Sequence, residues 1–322
     1  MALSIGIDSQ QGSWETCVIE NGRTMELHTW DDTLSVYEYI RGICAWFPEP
    51  IITVSVGKGE PLSPPLSTLN AQQVQQISAF RRPPQESRSM QDFLIAIGSL
   101  NLSSYLVPTV HQLSSIPTYR KKNRFDMGTS DKLCNVATLL YRMREQEAIW
   151  QEMRFLYLDV NGFSRTILVV EDGCVVNGIG ETAGFAACVP TEQEQVNSRD
   201  GQDYPVEAAI AEQAFWEGLH QDLGGLMALH HLEDIIVSGS NKEAVINRLE
   251  GSYQLYHFPT HEGEQEGFAS ALGAAILADG LYRPGLAGEI VERLQLPRAS
   301  NRLPGQAVYP MAKMQEQLTF FP

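Results

Sequence analysis

Leu3-Ser4-Ile5-Gly6-Ile7-Asp8, an apolar stretch that ends in an acid, opens the segment that decides the fold. Trp14 to Glu20 reads as a second strand, Asn21-Gly22 as a turn, and Arg23 to Trp30 as a third strand. Asn-Gly is the strongest two-residue hairpin signal, because a type I′ turn needs positive φ at both central positions. The same pattern recurs. Phe155-Leu156-Tyr157-Leu158-Asp159 is apolar and ends in Asp, Arg165 to Glu171 is a second strand, Asp172-Gly173 is the turn, and Cys174 to Asn177 begins a third strand. Asp159 stands 151 residues after Asp8, and Gly173 stands 151 residues after Gly22. A repeat this long is a duplicated domain and not a solenoid.

After each hairpin the pattern turns helical. Asp31-Asp32-Thr33 caps a helix running to about Phe47, with Leu34, Tyr37, Ile40 and Ile43-Cys44 on one face, and Ile51 to Val56 is a short strand. In the second half Val206 to His230 reads as a helix with Ile210, Phe215, Leu219, Leu223 and Leu226 inward, kinked or ended at Gly224-Gly225. Asp234 to Ser238 is a strand, Asn241 caps a helix to about Leu249, Tyr253 to Phe258 is a strand, and a last helix covers Gln265 to Tyr282. Gly57 to Asn70, Arg81 to Ser89 and Thr191 to Pro205 read as loops, and the stretch after Pro284 as a surface extension. Alternating strands and helices argue for α/β layers.

The 322 residues carry a formal net charge of −16. Such a field repels nucleic acid and anionic membranes, so neither is an expected partner, while a local basic patch can still hold a small anion. Five cysteines without CxxC spacing predict reduced thiols and no zinc site. Met1-Ala2-Leu3-Ser4-Ile5 has no basic region or long apolar core, so no signal peptide is read, no run is long enough to span a bilayer, and a cytoplasmic location is expected.

The duplicated hairpin with Asp closing its first strand resembles the actin-like ATPase superfamily of sugar kinases, acetate kinase, actin and heat-shock chaperones. Gly128-Thr129-Ser130-Asp131-Lys132-Leu133 resembles the start of the helix that links the halves. Ile235-Ile236-Val237-Ser238-Gly239-Ser240 resembles the adenosine-binding strand and turn. Gly267 to Ile276 resembles the second connecting helix, whose small residues let the domains pack closely. The order of these motifs is most similar to a group described as predicted butyrate kinases, and it covers nearly the whole chain.

The resemblance implies an α/β fold of two RNase H-like domains around an interdomain nucleotide cleft. Its domains would be 1–130 and 151–284, with a linking helix at 131–150 and an extension at 285–322. It implies ATP and Mg2+ as cofactors. Asp8 and Asp159 would hold the metal, or each could merely cap its own turn. Ser9, Gln10, Gly12 and Ser13 form the first phosphate loop, with Gln10 where superfamily members have an early glycine. Asn161, Gly162 and Ser164 form the second, and Ser238, Gly239, Ser240 and Gly273 complete the nucleotide site. Asp131 is the catalytic candidate, a base toward a hydroxyl or a positioning group toward a carboxylate, with Thr129 and Lys132 at the substrate. Thr129, Ser130 and Asp131 are equally good helix-capping residues.

Other features are open to two readings. Arg120-Lys121-Lys122-Asn123-Arg124 fits an anion site or a solvated loop. Gly178-Ile179-Gly180-Glu181-Thr182-Ala183-Gly184 fits a cleft floor or a plain loop. His257 and His261 straddle Pro259, which argues against a helical metal pair, and no P-loop or GxSxG elbow occurs. The expectation is an ATP- and Mg2+-dependent kinase for a small-molecule acceptor, with a homodimer possible. An ATPase or switch working through a protein partner, or a scaffold without catalysis, are the alternatives.

Overall fold

The computed structural model describes residues 3–10, 13–47, 49–57, 65–80, 82–184, 204–260 and 268–300. The first half contains β1 (Leu3–Gln10), β2 (Ser13–Glu20), β3 (Arg23–Trp30), α1 (Thr33–Trp46), β4 (Ile51–Ser55), α2 (Ala71–Ser78), α3 (Pro84–Ser99), β5 (Ser103–Leu106) and α4 (Thr118–Asn123). Helix α5 (Ser130–Glu145) follows. The second half contains β6 (Phe155–Asn161), β7 (Ser164–Glu171), β8 (Cys174–Ile179), α6 (Tyr204–His230), β9 (Asp234–Ser238), α7 (Lys242–Leu249), β10 (Gln254–His257), α8 (Ala269–Tyr282) and α9 (Leu286–Arg293).

Each half builds a five-stranded mixed sheet. Their orders, β3-β2-β1-β4-β5 and β8-β7-β6-β9-β10, are the same winding. In each, three antiparallel strands come first and two parallel strands extend the other side. Two RNase H-like domains are therefore read directly from the topology. Both hairpins turn as their dipeptides demand: Asn21 and Gly22 have φ of 51° and 77°, Asp172 and Gly173 have 51° and 74°.

Two helices join the sheets. Helix α5 buries Leu133, Val136, Ala137 and Leu140 in one core with Tyr157, Leu168 and Val170 of the second sheet. Helix α8 lies on the first sheet so closely that a Cβ at Gly6 would meet the Ala271 carbonyl and the Ala275 nitrogen at 2.1 Å. Where α8 crosses α5, a Cβ at Gly273 would meet the Cys134 carbonyl at 2.0 Å.

Several elements differ from the sequence expectation. Arg81 to Ser89 is not all loop, because Pro84 occupies the first turn of α3, where a missing N–H costs nothing. On α1 the expected Ile40 is buried and Tyr37, Ile43 and Cys44 pack partly buried on the same core, but Val36 joins them and Leu34 is 66% exposed. Helix α6 runs through Gly224-Gly225 because Leu223 and Leu226 beside them are buried; it ends at His230, and His231 after it takes a φ of 52°. Ile210 on α6 is exposed. After Pro284 stands α9, with Ile290 and Leu294 buried in the core of α5. Gly12, His261, Gly267 and most of Thr191 to Pro205 lie outside the described residues. Among the described residues no helix is long and apolar enough to cross a membrane.

Candidate functional site

The central strand of each sheet carries its acid opposite a serine of the parallel neighbour. Asp8 on β1 pairs with Ser55 of β4, and Asp159 on β6 pairs with Ser238 of β9. Both ends open on one cleft of about 770 Å3. Asp8, Ser9, Thr129, Asp131, Lys132 and Asp159 line it, as do Asn161, Ser164, Ser238, Gly239 and Ser240. The cleft thus gathers most of the residues singled out in the sequence. Ser13, Gly162 and Gly273 lie outside its wall. Ser13 pairs with Gln10 across the hairpin, and Gly273 serves the crossing of α5 and α8. Gln10 closes β1, and its side chain is outside the described residues.

The turn after β9 is fixed by contact with β6. Gly239 has a φ of 97°, and a Cβ there would meet the Val160 carbonyl at 2.2 Å, so only glycine fits. Two asparagines lace this turn to the hairpin. The Ser240 N–H donates to Asn161 Oδ1 (2.9 Å), and the Gly162 N–H donates to Asn241 Oδ1 (2.8 Å). Asn241 therefore does not cap α7 with its side chain, as its position before the helix suggested. The N–H of Gly162, in the expected second phosphate loop, and that of Ser240, in the expected adenosine turn, thus already have side-chain acceptors.

Asp159 is surrounded by donors. Lys132 Nζ is 2.7 Å from Oδ1 and Asn161 Nδ2 is 2.6 Å from it; Ser238 Oγ and Tyr157 OH donate to Oδ2 at 2.8 and 3.1 Å. Lys132 Nζ also lies 3.0 Å from Asp131 Oδ2. Burial alone would lower the Lys132 ammonium, but the charges of Asp131 and Asp159 outweigh it and hold it well above its ordinary value. Burial likewise pushes Asp131 up, yet Lys132 and the Thr129 hydroxyl bring its carboxyl below the usual range. Asp131 sits in the first turn of α5 after Thr129, and no side chain caps that helix.

Asp8 is the opposite case. It is 1% exposed, and neither carboxylate oxygen has a hydrogen-bond donor. Burial, then the charge of Asp131, push its carboxyl up to about 6, although the Ser55 and Ser270 hydroxyls nearby ease it. Glu15, its partner across the hairpin, is raised to about 8 by burial and by Asp8. An orphaned buried carboxylate in a cleft wall suits a hard cation such as Mg2+. Asp159, with four donors around two oxygens, does not.

Several cleft residues escaped the sequence reading. Arg82 donates to Ser9 Oγ (2.7 Å) and to the Val56 carbonyl (3.2 Å), which puts a guanidinium beside Asp8. Its signal was the cationic residue before Pro83-Pro84. Asn135, whose Oδ1 is buried without a partner, donates to Tyr157 OH at 2.8 Å. Lys242, Arg142 and Phe258 complete the second half's wall, with Arg142 stacked over Phe258 at 5.7 Å.

The other candidates go elsewhere. In the basic run, Arg120 donates to the Val176 carbonyl, Lys121 to the Leu113 carbonyl, and Arg124 to Asn177 and Gly178. Arg120 and Arg124 fasten α4 and its flank to β8, and Lys121 ties α4 to the segment before it, away from the cleft. Gly178 and Gly180 lie against Met127 and Asp126, so they are packing glycines, and Glu181 alone of that segment reaches the cleft wall. His230 is bonded between Glu171 and Asn177. Among the described residues no three His, Cys, Asp or Glu side chains gather as a metal-binding group.

Comparison with solved structures finds the inorganic polyphosphate/ATP-glucomannokinase of Arthrobacter sp. strain KM, 14% identical over 88% of this chain and 100% of that one, with a TM-score of 0.45. The acetate kinase of Entamoeba histolytica is 6% identical over 77% of this chain and 86% of its own, with a TM-score of 0.45. The ROK hexokinase of Thermus thermophilus is 14% identical over 85% and 97%, with a TM-score of 0.42. No curated protein matches the sequence. A family model does match, over residues 6–192 and so more than half of the chain, from the first hairpin through the second, and the chain belongs to that family, described as Protein of unknown function (DUF1464).

Proposed function

We propose that this chain is an ATP- and Mg2+-dependent phosphotransferase acting on a small-molecule acceptor held beside Asp131. One observation carries the reading: the Asp8 carboxylate is buried and unbonded in the wall of a cleft between two duplicated sheets. A buried carboxylate without donors is costly unless a cation or proton joins it. Mg2+ at Asp8, largely through its own water shell, would supply charge neutralisation at the phosphates. Arg82 and Lys242 bring positive charge to the two walls, and the Ser238-Gly239-Ser240 turn offers a place for the nucleoside.

Asp131 bears on the acceptor. A carboxyl held low by Lys132 takes up a proton poorly, so it is a weak base. That favours an acceptor that needs no base, a carboxylate such as the butyrate implied by the resemblance, toward which Asp131 acts only by holding the Lys132 ammonium in place.

Binding is tested by thermal unfolding with and without saturating ATP and Mg2+. A ligand at about 100 times its Kd that binds only the folded chain adds about 2.7 kcal/mol, a readily measured rise in Tm. The absence of any rise overturns the reading. The alternative of an ATPase working through a protein partner is favoured by the occupied N–H groups of Gly162 and Ser240 and by Gln10 in the first loop. ATP turnover measured across a panel of carboxylates and alcohols separates the two: stimulation by one acceptor supports the kinase, and acceptor-independent turnover supports the ATPase.

A further inference from the structure

The acid of the second half already has a cation. Lys132 Nζ sits between Asp159 Oδ1 (2.7 Å) and Asp131 Oδ2 (3.0 Å), with the lysine side chain only 10% exposed. A carboxylate offers about four lone-pair directions, and those of Asp159 are met by Lys132, Asn161, Ser238 and Tyr157. We propose that Lys132 is the resident cation of the second half, standing where Asp159 would otherwise bind a divalent ion, so that the cleft takes a single divalent ion on the Asp8 side. The inference rests on the reading that the cleft binds Mg2+ with a nucleotide, and it goes beyond that reading in assigning the counter-ion of the second acid to the chain itself.

The placement is built and not incidental. Ser130, two residues before Lys132, is fastened to the first half: its N–H donates to the Gly57 carbonyl (3.0 Å), and its Oγ accepts from the N–H groups of Val56 (3.2 Å) and Gly57 (2.9 Å). The first turn of α5 is therefore tied to one sheet by Ser130 and to the other by Lys132. A tethered ammonium stays in place whatever the free metal concentration. It also brings one positive charge to a site with two carboxylates, which a divalent ion would neutralise fully. In the first half the nearby cation does not bond the acid: Arg82 donates to Ser9 Oγ and the Val56 carbonyl, and neither oxygen of Asp8 has a donor. Across the hairpin Asp8 faces Glu15, and α8 brings it Ser270, whose buried hydroxyl has no partner.

The test counts bound metal. Wild-type chain and Lys132→Met are dialysed against Mn2+ and saturating ADP, and Mn2+ retained per chain is measured. Wild type is expected to keep about one ion and Lys132→Met about two, because Asp159 and Asp131 are then free to share a divalent ion. Lys132→Met in an Asp159→Asn background should return to the wild-type count. Two ions on wild type, or no increase in Lys132→Met, overturns the inference and leaves the nucleotide reading standing. No ion on wild type overturns the reading and the inference with it. If Lys132→Met is unfolded in chelator, recovery of its circular dichroism on adding Mn2+ supports the inference, and failure to recover overturns it.

Discussion

Asp8 and Asp159 hold the same place in two copies of one hairpin, and their surroundings have diverged completely. Each ends a central strand, and each faces a serine on the parallel neighbour. At Asp159 the serine donates to the acid at 2.8 Å, and a lysine completes the neutralisation. At Asp8 the serine turns to Ser130 Oγ at 3.2 Å, and the acid is left without a donor. The backbone was duplicated, but the electrostatics were not. One half is satisfied within the chain and can act as a fixed wall. The other carries an unmet demand for positive charge, which is what a binding site needs.

The sharpest way to break this contrast is to remove the lysine. Lys132→Met should cost about 3–5 kcal/mol in urea unfolding, because it leaves buried carboxylates unpaired. In an Asp159→Asn background the same change should cost less, about 1.5–3 kcal/mol, since only Asp131 is then left without its lysine. Equal costs in both backgrounds would show that Lys132 does not act through Asp159.

Asp8→Asn should move stability the other way. The Asp8 carboxyl lies at about 6 in the folded chain against 3.8 ordinarily, so the folded state holds a proton that the unfolded state has released. Stability is then lost as pH rises from about 4 to about 6, and Glu15, at about 8 against 4.5, carries the loss on toward pH 8. The ligand-free wild type is expected to unfold more easily at pH 8 than at pH 5. Asp8→Asn should regain up to about 3 kcal/mol at pH 8 and lose the rise in Tm given by ATP and Mg2+. A wild-type stability that climbs between pH 5 and 8 would contradict the account of Asp8.

The turns after β4 and β9 differ in the same sense. Gly57 and Gly239 both have positive φ, but a Cβ at Gly57 meets only Phe80 at 3.7 Å, whereas one at Gly239 strikes the backbone of Val160. Gly57→Ala should cost about 1 kcal/mol, the left-handed penalty alone, and Gly239→Ala about 3 kcal/mol or more. Similar losses would mean that the second turn is no more tightly held than the first.

What could be read from the sequence was local. Asn21-Gly22 and Asp172-Gly173 dictate their own φ angles, so the hairpins, their 151-residue offset and the two acids were visible in chain order. The Ser238-Gly239-Ser240 turn was visible for the same reason. The neutralisation was not, because it depends on which sheet each connecting helix covers. Helix α5 follows the first half but packs on the second, and only that crossing brings Lys132 to Asp159. Arg82 was hidden because its partner Ser9 is 73 residues away. The role of the basic run stayed open because Arg120, Lys121 and Arg124 find carbonyls and an amide close by, a use of cations that composition does not distinguish from anion binding or from a solvated loop. Pro83-Pro84 misled because the residue that breaks a helix interior also starts one.

The finest test of the contrast is a pair of serine substitutions. Ser238 Oγ donates to an ionised carboxylate, and such bonds contribute about 1.5–3 kcal/mol, so Ser238→Ala should lose about 2 kcal/mol. Ser55 Oγ meets a neutral hydroxyl at 3.2 Å, a bond near the weak end, and Ser130 Oγ keeps its two backbone donors without it. Ser55→Ala should therefore lose about 1 kcal/mol or less in urea unfolding at pH 6, where much of Asp8 carries a proton. Raising the pH to 8 should widen the loss at Ser55, because a hydroxyl near the newly ionised Asp8 is missing, and should widen it more than the loss at Ser238, whose acid keeps the Lys132 ammonium at 2.7 Å. If Ser238→Ala shows the larger pH dependence instead, the two acids have been assigned to the wrong halves of the comparison.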